Sequence, residues 1–222
     1  MDAPLERSRP DDDRFLTIGK IDTIDRIDEI EASDPIARFR SWYRDAEKRG
    51  ARQPDAMALA TVGRGGVPSL RFVLLKGADE RGFVFVTDGR SRKGGELARN
   101  AHVAATFYWN ATGKQVRIEG RARPVSAAES DELWRDRPRG SQLSAAASLQ
   151  SALLAERAVL VRRRAELARR FRGQPVPRPD GWCGYRIVPE RIELWVHRAN
   201  RLHHRELFER SARGWRKTLL QP

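Results

Sequence analysis

The feature that most constrains this chain is a rhythm between residues 57 and 125, where short apolar runs are each closed by a tight-turn signal. Gly63-Arg-Gly-Gly66, Ala78-Asp-Glu-Arg-Gly82 and Asn110-Ala-Thr-Gly113 punctuate runs at 57–62, 68–76, 83–87, 102–109 and 115–125. Glycine and asparagine tolerate the backbone geometry of tight hairpins, so runs spaced in this way read as antiparallel strands. Further runs at 184–188, 191–197, 202–209 and 215–220 follow. Six or seven antiparallel strands with helices between them predict a mainly β chain, a closed barrel carrying peripheral helices.

Helix signals fill the gaps. Asp34 is an N-cap with Pro35 at the first helical position, and Ile36, Phe39, Trp42, Tyr43 and Ala46 follow at helical spacing until Gly50. A short helix is expected over 91–100, and Ser126 with Glu129 forms a capping box for another ending at Arg135. Residues 136–149 read as a connection, polar and then Ala-rich. A long helix is expected over 150–172, with Leu154, Val161, Leu167 and Phe171 on or near one face. The Pro-rich stretch 173–179 reads as a linker. Residues 1–32 carry few core signals and are expected to be a flexible N-terminal segment ahead of a single domain over 33–222.

Composition narrows the function classes. The chain has 222 residues and a formal charge of +13, with 43 Lys and Arg against 30 Asp and Glu. Arginine dominates, yet it is spread along the whole chain, as GC-rich coding would also give, so charge alone does not argue for nucleic acid. No apolar run reaches the ~20 residues of a membrane helix, and the first residues lack the apolar stretch of a secretory signal. A cytoplasmic protein with no membrane and no nucleic-acid partner is expected. One cysteine, Cys183, excludes an internal disulfide and reads as a small buried hydrophobe. His203 and His204 are adjacent in a strand and point to opposite faces, so no metal site is expected.

There is no G-x-S-x-G elbow and no phosphate-binding P-loop. What remains is a set of basic turns. Arg71-Phe-Val-Leu-Leu-Lys76 places two cations at the ends of an apolar strand, on opposite faces unless a bulge intervenes. Thr87-Asp-Gly-Arg-Ser91-Arg92-Lys93 sets hydroxyls and cations at a helix N-terminus, and Arg137-Pro-Arg-Gly-Ser141 is a second basic turn with a hydroxyl. Trp195 and Arg201-Leu-His203-His-Arg205 belong to a late hairpin. Each reads singly as solvated charge; together they point to two phosphorylated ligands.

These segments, with Phe107-Tyr-Trp109, Gln115-Val, Gln150-Ser151 and Ile192-Glu-Leu-Trp195, resemble the pyridoxine (pyridoxamine) 5′-phosphate oxidase family in order and spacing from Asp34 to the C-terminus. The resemblance implies a split β-barrel, usually a homodimer, with FMN at the subunit interface. It implies FMN contacts from Arg71, Phe72, Val73, Leu74, Leu75, Lys76, Val86, Thr87, Arg92, Lys93, Gln115, Gln150, Ser151, Trp195 and Arg205. Substrate positions would be Lys76, Leu133, Arg137, Ser141, Arg201 and His203, with Arg201 and His203 as the catalytic pair. The implied reaction passes a hydride from the substrate to FMN, with O2 as acceptor and H2O2 as product.

The sequence departs from the family pattern on the substrate side. Leu133 stands where the family has a phosphate-binding Tyr, Gln53 where it has an acidic residue, and His204 where it has Asp; on the flavin side the one change is Val86 for a frequent Tyr. Three readings stay open. The first is a pyridoxine/pyridoxamine 5′-phosphate oxidase. The second is an oxidase of a secondary-metabolite pathway acting on a reduced tricyclic, phenazine-type acid. The third is a non-enzymatic flavin-binding module.

Overall fold

A computed structural model describes residues 34–222. The expected flexible segment over 1–32 lies outside the described residues.

Helix α1 (Pro35–Lys48) starts as its sequence dictates, with Asp34 Oδ1 accepting from the Ile36 amide at 2.9 Å. Strands β1 (Ala56–Val62), β2 (Pro68–Asp79) and β3 (Gly82–Asp88) form an antiparallel meander. Helix α2 (Arg92–Arg99) leads to β4 (His102–Trp109) and β5 (Lys114–Pro124). Helices α3 (Ala127–Arg135), α4 (Arg139–Ala147) and α5 (Arg157–Arg170) precede β6 (Trp182–Val196), β7 (His204–Ser211) and β8 (Gly214–Leu219). The sheet order is β3-β2-β1-β4-β5-β6-β7-β8, and β3 also pairs with β6. Six strands therefore close a barrel, and β7 and β8 extend from it.

The closure is made by one strand serving two neighbours. The first half of β6, residues 182–187, pairs with β3, and the second half, residues 191–196, pairs with β7. The register against β5 slips at Glu119/Gly120, so Glu190 is an extra residue. Such a bulge bends and twists a strand locally. It packs onto Gly120, where any Cβ would meet the Val188 carbonyl oxygen at 2.2 Å.

The core fills the barrel and the helix that plugs it. Phe39 of α1 stands 4.9 Å from Phe83 and 4.9 Å from Phe107, with Trp109 behind at 5.8 Å. Beside it Arg38 forms a buried ion pair with Glu206 and stacks near Trp42 and Phe208. A second apolar cluster of Trp134, Leu143, Val176 and Trp182 seats α3, α4 and α5. There Trp134 and Trp182 meet edge to face at 5.0 Å, and the Trp134 indole donates to the Val176 carbonyl.

Several expectations change. The sheet has eight strands. Residues 139–147 are helical: Pro138 fixes the entry backbone, the Ser141 and Gln142 amides turn back onto its carbonyl, and the alanines favour helix. The helix expected from 150 begins only at Arg157, because Gln150 is tied sideways to the barrel and Ser151 takes a left-handed φ of 73°. The runs at 184–188 and 191–197 are one strand, joined across the bulge. Strand β7 begins at His204, so Arg201 and His203 lie in the preceding turn, with Arg201 at a φ of 64°. Ser126 does cap α3, but the Glu129 carboxylate reaches Arg186 at 2.7 Å. Cys183 is half-buried opposite Thr87. Among the described residues no helix is long and apolar enough to cross a membrane, and no cluster of metal-ligating side chains occurs.

Candidate active site

A cleft of about 1030 Å³ opens between β2, the β3–α2 turn and the α4 region. Its basic floor is built from short-range geometry. Ser91 caps α2, accepting from the Gly94 amide and donating to the Asp88 carbonyl at 2.6 Å. Gly94 is required there, since a Cβ would come within 2.2 Å of the Gly89 carbonyl oxygen. This turn buries Lys93, whose ammonium donates to Thr87 Oγ1 and Gln150 Oε1, both at 2.7 Å. Burial, and then the Arg71 charge, pull the Lys93 pKa down to about 8.

Behind the cleft wall sits Glu96, 5% exposed. It accepts from Thr61 at 2.5 Å, Ser69 at 2.6 Å, Arg92 Nε at 2.9 Å and Arg71 at 3.2 Å. The Ser69 and Thr61 hydroxyls, and then the two guanidinium groups, hold its pKa down at about 2. The carboxylate is thus charged at any working pH and fixes two cations of the cleft. Sequence reading missed it, although its i,i+4 spacing from Arg92 was visible.

Across the cleft Arg137 lies 5.4 Å over the Trp182 ring. The guanidinium makes only a long 3.5 Å contact to the Ser141 carbonyl among the described residues, and its Nε is buried with no partner. Burial lowers its pKa. No carboxylate pairs with it among the described residues.

The expected residues fall into two groups. Arg71, Phe72, Val73, Leu74, Lys76, Val86, Thr87, Arg92, Lys93, Arg137, Ser141, Gln150 and Ser151 line the cleft. Arg71 and Lys76 share it because the β2–β3 register shifts between Leu75 and Gly77, leaving Lys76 as the bulged residue. Leu75 is not part of the lining. Leu133 is also outside it: it packs with Val86 against the second cluster and stands close to Gly184.

The second group lies elsewhere on the chain. Gln115 pairs with Trp195 and Trp195 with Arg205 across β5, β6 and β7. Arg205 donates to Glu193 Oε1 at 2.8 Å, and the His203 ring lies 4.6 Å from Trp195. None of Gln115, Trp195, Arg201, His203 and Arg205 lines the cleft of its own chain. By strand register, the same outer sheet face carries Leu70, Phe72 and Leu74 on β2 and Tyr108 on β4, all exposed.

Residues 44–170 match the family model described as pyridoxamine 5′-phosphate oxidase, and residues 182–222 match the one described as the pyridoxine 5′-phosphate oxidase C-terminal dimerisation region. The chain is 53% identical over 189 residues to the pyridoxine/pyridoxamine 5′-phosphate oxidase of Rubrobacter xylanophilus, covering 85% of this chain and 87% of that one. It is 50% identical over 210 residues to the enzyme of the same name from Sphingopyxis alaskensis, covering 94% and 97%. Among solved structures, PhzG from Burkholderia lata in complex with tetrahydrophenazine-1-carboxylic acid superposes with a TM-score of 0.82 at 37% identity, covering 86% and 93%. The barrel closed by β6, the cleft residues and these matches agree, and the chain belongs to the pyridoxine/pyridoxamine 5′-phosphate oxidase family.

Proposed function

We propose that this chain oxidises pyridoxine 5′-phosphate and pyridoxamine 5′-phosphate to pyridoxal 5′-phosphate, using FMN and O2 and releasing H2O2, with ammonia also leaving from the amine after water is added. The observation that carries this reading is Arg137. A cation held over Trp182 with an orphaned Nε, beside the Ser141 turn and Lys76, suits a substrate phosphate. A tricyclic carboxylic acid without phosphate has less use for such a turn. Leu133 gives no ground for a flatter substrate, because it does not line the cleft.

The donor set also fits FMN. Arg71, Arg92 and Lys93 concentrate positive charge at one end of the cleft, and Thr87, Gln150 and Ser151 offer hydroxyl and amide groups beside them. FMN bound there supplies the two-electron acceptor that O2 regenerates. The protein's own work is placement. Arg137, Ser141 and Lys76 hold the substrate phosphate, while the apolar side chains of β2 and Val86 exclude water. Arg201 and His203 orient the substrate as hydrogen-bond donors. His203 Nδ1 accepts from the Arg198 amide at 3.2 Å, so the neutral ring carries its proton on Nε2.

This division of labour calls for two copies of the chain. The hairpin group and the cleft group lie apart on one protomer, and a two-fold dimer brings one protomer's hairpin to its partner's cleft. The exposed Leu70, Phe72, Leu74 and Tyr108 supply an apolar face for that contact. Light scattering should give twice the 25.3 kDa chain mass with flavin bound; a flavin-loaded monomer would contradict the arrangement.

The test of the function is oxygen uptake. The FMN-loaded protein should consume O2 with either phosphorylated vitamer and release a pigment that chromatographs as FMN. Turnover of a reduced phenazine precursor alone, or bound FAD, would sink the assignment. FMN affinity should also weaken as pH rises through about 8, where Lys93 of the free site loses its proton. The sign follows because a phosphate favours the charged lysine. Fluorescence titration checks this, and Lys93→Met should flatten that limb.

A further inference from the structure

Three rings meet at the end of β6. His203 lies 4.6 Å from Trp195 and 5.4 Å from His197, and His197 lies 6.0 Å from Trp195. His197 is anchored from behind. Its amide donates to the Gly113 carbonyl at 2.8 Å, and its Cβ sits 3.2 Å from where a Cβ on Gly113 would stand. The left-handed Gly113, at a φ of 62°, lets the β4–β5 turn press against it. His203 thus lies against both rings, and its Nδ1 accepts from the Arg198 amide.

We propose that His197 is a positioning residue for His203, fixing its ring against Trp195 and keeping it neutral with the proton on Nε2. This rests on the assignment of His203 to the reaction above. The physical reasons are burial and local charge. The charged groups facing His203 are His197 at the end of β6, Arg201 in the turn and Arg205 on β7, and every one is cationic or becomes so. Protonating His203 adds a like charge among them and sets an Nδ1–H against the Arg198 N–H that Nδ1 now accepts. Burial, followed by these neighbours, holds the His203 pKa below its ordinary value. A neutral His203 donates from Nε2 to the substrate without adding charge to an already basic site.

The experiment uses the FMN-loaded enzyme and follows its four histidines by proton NMR from about pH 5 to pH 8. His197→Phe keeps a ring but removes the charge, and His197→Asn removes both. The His203 midpoint should lie below ~6.5 in the wild type and rise toward ~6.5 in His197→Phe. The acid limb of the kcat profile should move with it. His197→Asn should in addition lower kcat at the optimum, because the ring loses its backing. An unchanged His203 midpoint in both variants overturns the inference. So does a His197→Phe enzyme with a wild-type His203 midpoint and wild-type pH limbs beside a slow His197→Asn enzyme, since His197 would then be a spacer. A midpoint that moves while the rate profile stays put supports the pairing of the rings and overturns instead the role given to His203.

Discussion

Arg137→Ala will raise the KM for pyridoxine 5′-phosphate by about 10- to 150-fold, the equivalent of the ~1.5–3 kcal/mol of a hydrogen bond to a charged group. The guanidinium has no protein anion to leave behind, so its removal strands no buried carboxylate. Trp182 keeps its edge-to-face contact with Trp134, and the wall should stand. Flavin content should stay at the wild-type level, because Arg71, Arg92 and Lys93 lie on the other side of the cleft chemistry, tied to Glu96, Thr87 and Gln150. Initial-rate kinetics with flavin quantified by absorbance make the check. An unchanged KM would remove the phosphate from this turn, and loss of flavin together with activity would make Arg137 part of the cofactor site.

The largest stability effect is expected at Phe39. Phe39→Ala deletes the ring that joins α1 to the barrel, where it touches Phe83, Phe107 and Trp109 within 6 Å between centroids. The side chain is fully buried, and truncating such a phenylalanine costs ~3–5 kcal/mol. For a chain of this size the melting temperature should drop by about 6–20 °C. The Asp34 cap and the Arg38–Glu206 pair remain, so the helix should persist while its docking weakens. Thermal unfolding followed by circular dichroism measures this. A shift under ~2 °C would mean that the barrel mouth repacks around the missing ring.

Local chemistry made most elements legible. The Asp34 cap, the glycines at 63–66 and at 113, and the Ser126 cap each act within a few residues, and each stands where the sequence puts it. What escaped is decided by partners far along the chain. Gln150 lies 57 residues from Lys93, yet that bond draws the chain sideways and delays α5. The bulge that fuses two short runs into β6 is set by the register of β5 and by the absence of a side chain on Gly120. In the site, the resemblance supplied the residue list, but it could not show that one protomer keeps its hairpin residues away from its own cleft. Glu96 was marked locally only by its i,i+4 spacing from Arg92, and nothing local showed that it anchors Arg71 as well. His197 carried no motif at all.

The way β6 is shared leaves β8 as the terminal strand of the sheet. Closing β3 onto the first half of β6 uses up every barrel strand, and β7 covers the second half. Among the described residues β8 is thus the one strand with a single neighbour, and its outer side, six residues long, carries Arg216 and Lys217. Short, cationic edges resist pairing with stray strands. Association at this end of the sheet is therefore steered away from edge-to-edge growth and onto sheet faces, where side chains rather than backbone groups choose the partner.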